Sequence, residues 1–456
     1  MTRIAGERSG IGGVLGGMSV GEVMLRWPED VGAAWLTGSG EGDRARWTIL
    51  GIPTGGVERG DPMRVLDGVG CRGGLGGAGE GVFDGGWIGW VGYEVGERIE
   101  ATVRAGGGGP LDDRGWGACR LVRCDAALVH DGLTGMWRCA GDAARCGAVI
   151  ERVMRGGAHA GRFGVGRMRS VTGRARYERD VARVIGLIHA GDAFQVNLAH
   201  RLSGRFEGSA RGAFVHLMER VRPWYGALIE DVRADGTLAG CVCSASPELF
   251  LRVDGRSGRV ETRPMKGTRG AGCDPEELRR SEKDRAELAM IVDLMRNDLG
   301  RVCGYGSVRV EQAQAVEAHH GARGGVWQGV ATVSGVVREG VTHGELMRAA
   351  FPPGSVTGAP KVRAMQLIRE MEPVTRGAYC GAIGFVSDGG DAAWSVGIRT
   401  AQMRFDAGST VADARGTVDY SVGAGIVADS EPGKEWRETL TKAAAFRAAM
   451  REGSGR

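Results

Sequence analysis

The sequence predicts an α+β fold, a mixed or antiparallel sheet with helices along its flanks. Three observations lead there. Short strand-like runs broken by glycine turns fill the first third of the chain. Further on, helical faces alternate with strands. The resulting order of strands, helix, strands, helix, strands, helix lacks the regular βαβ alternation of a parallel sheet. The 456 residues allow two or three domains, or one large intertwined one, at ~100–200 residues per domain.

Residues 1–150 read as short strands, with Arg46–Gly51 and Gly86–Tyr93 as candidates and a loop at Gly106–Pro110. Residues 151–173, rich in Gly and Arg, read as a connecting segment. From 174 to 450 the texture changes. Tyr177, Val181, Val184, Ile185 and Ile188 mark one helical face, stopped by Gly191. A strand follows over Ala193–Arg201, with Phe194, Val196 and Leu198 on one face and Gln195 and Asn197 on the other. Amides are unusual on a core strand, so that second face reads as the lining of a cavity. Ser281 can cap a helix to Leu299, with Asp284 three residues on. Pro432 opens the last helix at its first turn, with Ser430 as a possible cap, and the helix runs to about Met450. No internal repeat appears.

Composition excludes several classes. Glycine makes up 82 of 456 residues, 38 of them before residue 151, but no Gly-X-Y period runs through them, so the chain is not collagenous. A hydrophobic fraction of 42% argues against wholesale disorder. The net charge of 59 − 55 = +4, with no basic block, does not suggest a nucleic-acid partner. No run of ~18 apolar residues is present to span a membrane, and Met1–Pro28 lacks the apolar stretch of a signal peptide. Ten scattered cysteines, with only Cys241 and Cys243 close together and no CxxC pair, fit reduced thiols in a cytoplasmic protein. Of the 59 basic residues only 5 are lysine: Lys266, Lys283, Lys361, Lys434 and Lys442. Arginine replaces lysine well on a solvated surface and poorly where a compact ammonium or a neutral amine is required, so the surviving lysines become candidates for such roles. Chance survival is the alternative, retained for Lys434.

Several segments can carry chemistry. Asp284 and Glu287 share a helix face, as do Glu435, Glu438 and Lys442 on the last helix. Brought together, two such faces give an oxygen-rich site suited to Mg²⁺. The same spacing describes solvated, salt-bridged helix surfaces, and spacing alone does not separate the two. Phe351–Lys361 resembles a phosphate loop only superficially, because Pro360 removes a backbone donor where a P-loop needs glycine. Ser421–Val427 places small residues on a strand whose N–H groups could bind a carboxylate, or could mark a bulge. Pro264–Thr268 holds Lys266, whose amine becomes a nucleophile if burial or a nearby cation lowers its pKa. A surface turn is the plainer account of that segment, and the arginine bias weighs against it.

Taken together, these segments resemble the chorismate-utilising enzymes: anthranilate synthase component I, aminodeoxychorismate synthase component I, isochorismate synthase and salicylate synthase. The matching motifs are Phe194–Ala199, Ser246–Phe250, Arg263–Thr268, Lys283–Glu287 with Val292–Gly300, Phe351–Lys361, Gly381–Gly384, Gly423–Ser430 and Glu435–Lys442. They cover about residues 174–448, and the N-terminal part matches more loosely through Trp47–Gly51 and Gly86–Tyr93. Four of the five lysines fall inside them. The resemblance implies two packed, largely antiparallel sheets flanked by helices (α/β/β/α), with residues 1–150 interwoven with a catalytic region at 174–450. It implies that Glu287 and Glu438 hold Mg²⁺, supported by Asp284 and Glu435. Gly423, Ala424 and Gly425 would offer N–H groups to the ring carboxylate, with Lys442 nearby. Tyr379 and Arg399 would grip the enolpyruvyl carboxylate, while Gly267 and Thr268 would line the substrate. Glu248 would protonate the departing C4 hydroxyl, which at neutral pH requires a raised pKa.

Two positions separate the subfamilies. Isochorismate and salicylate synthases carry a lysine base at the position of Gln195, and glutamine cannot act as that base. Anthranilate synthases carry alanine at the position of Lys266, whereas aminodeoxychorismate synthases commonly carry lysine, as here. The family usually has histidine where this chain has Gln328. In anthranilate synthase that histidine is tied to pyruvate loss, so its absence fits an enzyme that stops at aminodeoxychorismate, or else marks weakened activity. His319 and His320 lie upstream, where a surface loop is expected.

The resemblance thus points to aminodeoxychorismate synthase component I, a transferase joining ammonia to chorismate on the way to p-aminobenzoate and folate. With no Gly-x-Cys-x-Gly segment, nitrogen is expected from free ammonia or a separate glutamine amidotransferase. No fused lyase is expected. The alternatives are anthranilate synthase component I and a non-catalytic binding subunit that senses tryptophan. The set Glu248, Glu287, Arg399, Glu438 and Lys442 argues against the last.

Overall fold

The computed structural model describes residues 15–38, 45–72, 83–105, 108–157, 161–319 and 325–452. Among these, every strand pairing is antiparallel apart from an isolated bridge between Leu111 and Val374. The strands form two layers. One runs in space from Met136–Gly141 through Cys119–Asp131, Trp47–Glu58, Ala34–Thr37, Tyr225–Val232, Leu238–Ser246, Thr400–Phe405 and Ala414–Ile426 to Gln195–Gly208. The other leaves the first half of Cys119–Asp131 and runs through Gly86–Val91, Ala382–Ser387, Ala392–Val396, Leu249–Asp254 and Arg259–Arg263 to Val326–Val336. Val326–Val336 also pairs with Met265–Gly270 and Arg309–His319.

Three apolar cores follow from this layering. Ile49, Ala127, Ile229 and Val242 of the first layer meet Ile88, Trp90, Ile383 and Phe385 of the second. Helices Arg174–His189, Glu282–Gly300, His343–Ala350 and Lys361–Met371 bury Val181, Leu288, Leu346 and Ala364 in a core shared with Leu251, Val260 and Val333. Helices Ala143–Arg155, Ala210–Val221 and Pro432–Glu452 bury Cys146, Phe214 and Phe446 with Leu202, Leu228 and Met403. The order helix, sheet, sheet, helix is therefore the architecture, as the motifs implied. N-terminal strands lie inside both layers: Ala34–Thr37 sits between Trp47–Glu58 and Tyr225–Val232, and Gly86–Val91 between Cys119–Asp131 and Ala382–Ser387.

The predicted elements differ from the structure in detail. Residues 151–173 are more than a connector, since Phe163–Val165 and Arg169–Ser170 pair with the edge of Gln195–Gly208. Phe194 does not join Val196 and Leu198 in the core; it precedes the strand and is 71% exposed. Ser281 accepts the Asp284 N–H, but the Asp284 carboxylate turns to Arg269 instead of closing a capping box. Ser430 accepts from Val427 N–H and holds the turn before the last helix. His319 is buried at a strand end against Trp224, not in a surface loop. His320 and residues 106–107 lie outside the described residues.

Lys361 shows why one lysine survives. Its Nζ donates to Asp298 at 2.6 Å and to the Ala350 carbonyl at 2.7 Å, beneath the Phe351–Lys361 segment, and Asp298 is buried. Removing one member of a buried pair strands the other, at a cost of about 3–5 kcal/mol. Lys361→Met is expected to destabilise the fold by that amount, seen as a lower urea midpoint; an unchanged midpoint would show the pair contributes nothing.

Candidate active site

The site rests on the pairing of Gln195–Gly208 with Ala414–Ile426. The register sets Asn197 beside Gly425, Leu198 beside Ala424 and Ala199 beside Gly423. The N–H groups of Asn197 and Ala199 donate away from this ladder, to Thr357 O and Glu372 Oε1 at 2.9 Å each. By the alternation of antiparallel strands, Leu198 and Ala424 face each other, while the N–H groups of Gly423 and Gly425 turn away from the partner strand. The Gly423 carbonyl, on that outward side, accepts Lys442 Nζ at 2.9 Å. Of the three expected backbone donors, Gly423 and Gly425 are thus free of the ladder and Ala424 is not.

The two glycines also leave space. A Cβ on Gly425 would stand 2.8 Å from Gln195 Nε2 and 3.3 Å from Lys266 Nζ, so these two side chains converge over it. Gln195 is fully buried, and among the described residues neither its oxygen nor its nitrogen has a partner. A buried amide left unsatisfied is costly, and it marks a place built to face a ligand. A Cβ on Gly423 would stand 3.0 Å from the Tyr379 hydroxyl, which places buried Tyr379 over that glycine.

Lys266 lies on Met265–Gly270. Burial lowers its pKa, Lys442 acts in the same direction, and Glu287, Glu248 and Glu438 oppose them. The charges acting on Lys266 are therefore four of the residues singled out in the sequence. Glu248 is 3% exposed, and burial pushes its pKa up to about 7, against the hydrogen bond donated by Ser355 Oγ and the charge of Lys266. A proton-bearing carboxyl and an amine biased toward neutrality thus share one enclosure.

Gly267, at φ +76°, forms a bulge between Lys266 and Thr268, and a Cβ there would come within 2.9 Å of Asp284. The register pairs Thr268 with Gln328, whose Nε2 donates to Thr268 Oγ1 at 3.3 Å while its buried Oε1 has no partner among the described residues. Arg399 adopts φ +52°, a left-handed conformation rarely held by a non-glycine residue. Extending the Ala401–Tyr420 register places Arg399 level with Val422, next to Gly423. Among the described residues no carboxylate pairs with Arg399, and Tyr420 is the titratable group acting on it.

The four expected metal carboxylates are not equivalent. Asp284 is bound to Arg269 at 2.7 Å, and burial raises the pKa of Glu435 against a hydrogen bond with Ser430 that lowers it. Glu287 stands 4.0 Å from Lys283, and Glu438 stands 2.8 Å from Lys442. Among the described residues no group of three or more His, Cys, Asp or Glu side chains converges as a metal site. Two carboxylates on different helices, both acting on Lys266, nevertheless suit Mg²⁺, which takes one or two protein carboxylates and completes its shell from substrate and water.

The roles of Ser355, Arg376 and Asn197 were not foreseen from the sequence. Ser355 holds Glu248, and its signal was its place inside Phe351–Lys361. Arg376 binds Glu372 through two nitrogens and also the carbonyls of Val356 and Asn197. Their i, i+4 spacing was visible, but not that this pair supports the strand beneath the site. Asn197, noted for its amide, spends it on Val356 O at 2.8 Å rather than on the cavity.

Comparison with known proteins agrees with this geometry. The profile of the family described as chorismate binding enzyme matches residues 68–448, and the chain belongs to that family. Aminodeoxychorismate synthase component 1 of Klebsiella aerogenes is 41% identical over 280 residues, which is 59% of this chain and 56% of that protein. The chain thus matches little more than half the length of that relative. Anthranilate synthase component 1 of Streptomyces coelicolor is 35% identical over 459 residues, covering 93% of this chain and 84% of that one. The crystal structure of anthranilate synthase component I from Streptococcus pneumoniae TIGR4 superposes with a TM-score of 0.71 at 27% identity, covering 89% of this chain and 93% of that one. No helix among the described residues is long and apolar enough to cross a membrane.

The raised pKa of Glu248 carries a stability signature independent of any reaction. Above the ordinary value of 4.5 an exposed glutamate in the unfolded chain has lost its proton, whereas the buried one keeps it until about pH 7. Stability therefore falls as pH rises through that window, by on the order of 3 kcal/mol. Glu248→Gln is expected to be more stable than wild type at pH 8, with the difference vanishing near pH 4.5. Urea melts at both values test this, and a pH-independent difference would refute the assigned cause.

Proposed function

We propose that this protein acts as an aminodeoxychorismate synthase component I, converting chorismate and ammonia to 4-amino-4-deoxychorismate and water. The observation that carries the reading is Lys266 itself, a partly buried amine beside Glu248 and over the bare backbone of Gly425. A nucleophilic amine must be neutral, and burial biases Lys266 that way. The amine adds to C2 of the ring, the two ring double bonds shift toward C4, and the C4 hydroxyl leaves as water with the proton of Glu248. Ammonia then adds at C4, the double bonds shift back, and the lysine amine departs from C2. The nitrogen ends para to the ring carboxylate.

The remaining residues bind and orient. Gly423 and Gly425 offer N–H groups to the ring carboxylate; Tyr379 and Arg399 take the enolpyruvyl carboxylate; Gly267, Thr268 and Lys442 border the ring. Glu287 and Glu438 would hold Mg²⁺, which when bound neutralises the ring carboxylate, while Asp284 and Glu435 would orient that pair. Both of the latter are already engaged, which suits support better than ligation. The component-1 names of the relatives support a partner glutamine amidotransferase as the nitrogen source. The product would serve p-aminobenzoate and folate synthesis.

Anthranilate synthase component I is the second reading, favoured by the match to the Streptomyces coelicolor protein over 93% of this chain. Lys266 and Gln328 stand against it. Incubation with chorismate, ammonium and Mg²⁺ decides: the para-amino product is expected by mass, and fluorescent anthranilate would overturn the proposal. Lys266→Ala is expected to lose roughly 10³-fold or more of para-amination, as for removal of a covalent nucleophile, while still binding chorismate. Normal turnover by that variant would dismiss the nucleophile.

The metal assignment has its own readout. Glu287→Gln and Glu438→Gln are each expected to abolish the Mg²⁺-dependent part of chorismate affinity in calorimetry. Mg²⁺ enhancement equal to wild type in both variants would remove these residues from the ligand set.

A further inference from the structure

The backbone leading to Tyr379 is held by a part of the chain far from it in sequence. All four N–H groups from Arg376 to Tyr379 have acceptors. Those of Arg376 and Gly377 donate to the two carboxylate oxygens of Glu94, at 2.6 and 3.1 Å. That of Ala378 donates to Gln402 Oε1 at 2.8 Å, and that of Tyr379 to the Arg376 carbonyl at 3.2 Å. Gln402 Nε2 donates to the same Arg376 carbonyl at 2.9 Å, and the Tyr93 N–H donates to the Gly377 carbonyl at 2.8 Å. Gly377 stands at φ +61°, and a Cβ on it would collide with Gln402 Oε1, so the turn is closely packed as well as bonded.

Tyr93 and Glu94 belong to the N-terminal region, in the short turn Tyr93–Val95 that follows the strand Gly86–Val91. The two act on the same stretch. Arg376, whose N–H goes to Glu94, lays its guanidinium 4.4 Å from the Tyr93 ring centre and 5.9 Å from that of Tyr379. Desolvation pushes the pKa of Glu94 up to about 7, against the two N–H bonds it accepts. Both of its oxygens are thus spent on the backbone of one turn. What that turn delivers is Tyr379, whose hydroxyl would stand 3.0 Å from a Cβ on Gly423, over the face expected to meet the substrate.

We propose that Glu94 is a positioning residue for substrate binding: it fixes the turn that aims the Tyr379 hydroxyl at the enolpyruvyl carboxylate. Resting on the functional reading above, this gives the N-terminal region a direct part in holding the substrate. Loss of either Glu94 oxygen leaves a backbone N–H without its acceptor, and the turn must shift to find another. Glutamine is the sharpest probe, since it keeps the size of the side chain but sets an amide N–H against one of the two backbone donors.

The test is a double-mutant cycle. Chorismate affinity with Mg²⁺ present is measured by calorimetry for wild type, Glu94→Gln, Tyr379→Phe and the double variant, with turnover at saturating chorismate alongside. Glu94→Gln is expected to weaken chorismate binding by about tenfold. Its kcat is expected to stay within about threefold of wild type. Once the Tyr379 hydroxyl is gone, the same substitution is expected to cost less than about twofold. An equal loss in both backgrounds, or no loss in either, overturns the proposal and leaves the amination reading standing. Tyr379→Phe that binds chorismate like wild type also overturns it, by removing that hydroxyl from the site. Glu94→Asp, with both oxygens on a shorter arm, replaces the glutamine variant if that one does not fold, and the cycle is read in the same way. Wild-type protein that binds chorismate without aminating it overturns the functional reading alone, because the affinity cycle reads positioning without turnover.

Discussion

Everything in the candidate site depends on one register. Gln195–Gly208 and Ala414–Ile426 pair over thirteen consecutive residues, Ala414 to Ile426. A slip of a single residue would turn Gln195 into the helix-side core and bring Val196 to the cavity. It would also replace the bare surfaces of Gly423 and Gly425 with side chains at the point where Lys266 and Tyr379 approach. Val196, Leu198, Val422 and Ala424 fill apolar cores on the other face, so a slip would expose apolar surface while burying amides. The register is held by the core, and the site takes its shape from what the core does not use.

That shape brings titratable groups together where burial shifts two of them. A carboxyl held near pKa 7 and an amine pushed down by the same burial are both under strain in the resting protein. Gln195 adds an amide without partners, Gln328 an oxygen, and Arg399 a left-handed backbone. The two amides would find partners in the polar groups of the proposed substrate. The rest of the molecule offsets this local cost with three apolar cores and with paired ions such as Lys361 with Asp298 and Arg376 with Glu372. Local instability at the site and surplus stability around it are two sides of one arrangement.

Much of this was legible in the sequence because it follows from periodicity. The helix at 174–189, the capped helix from Ser281, the Pro432 start and the amide face of the strand after Ala193 all emerged close to their observed places. What was not legible depends on contacts between distant segments. That Cys119–Asp131 belongs to both layers is invisible in its own residues. The short strands at 163–165 and 169–170 exist only because the edge of Gln195–Gly208 is there to receive them. Phe194 was misplaced because alternation was extended one residue beyond the point where the chain begins to pair. In the site, residue types pointed to Lys266, Glu248 and the two acidic helices. The distribution of labour among carboxylates did not follow from spacing, since Arg269 arrives from a strand to occupy Asp284, and Ser430 from a turn to meet Glu435.

The scarcity of lysine can now be argued position by position. Lys361 puts a compact ammonium between one carboxylate and one carbonyl in a buried pocket, where a planar guanidinium would carry surplus donors with nothing to receive them. Lys442 reaches both the Gly423 carbonyl and Glu438 with a single nitrogen, joining the glycine strand to the acidic helix. On the proposed reaction Lys266 is the case arginine cannot fill, because a guanidinium does not give up its proton. Lys283 and Lys434 are exposed, their ion pairs among the described residues are i, i+4 and i, i+3 contacts with Glu287 and Glu431, and the charge Lys283 also presents to Glu435 is one that arginine could equally supply. The bias that spared five lysines therefore sorts them into three whose geometry demands an amine and two that it does not. The three all lie along one path, from the Phe351–Lys361 segment beneath the site, through the cavity, to the last helix. A compositional accident of the whole chain thus outlines the site, because drift runs freely everywhere except where a specific nitrogen is needed.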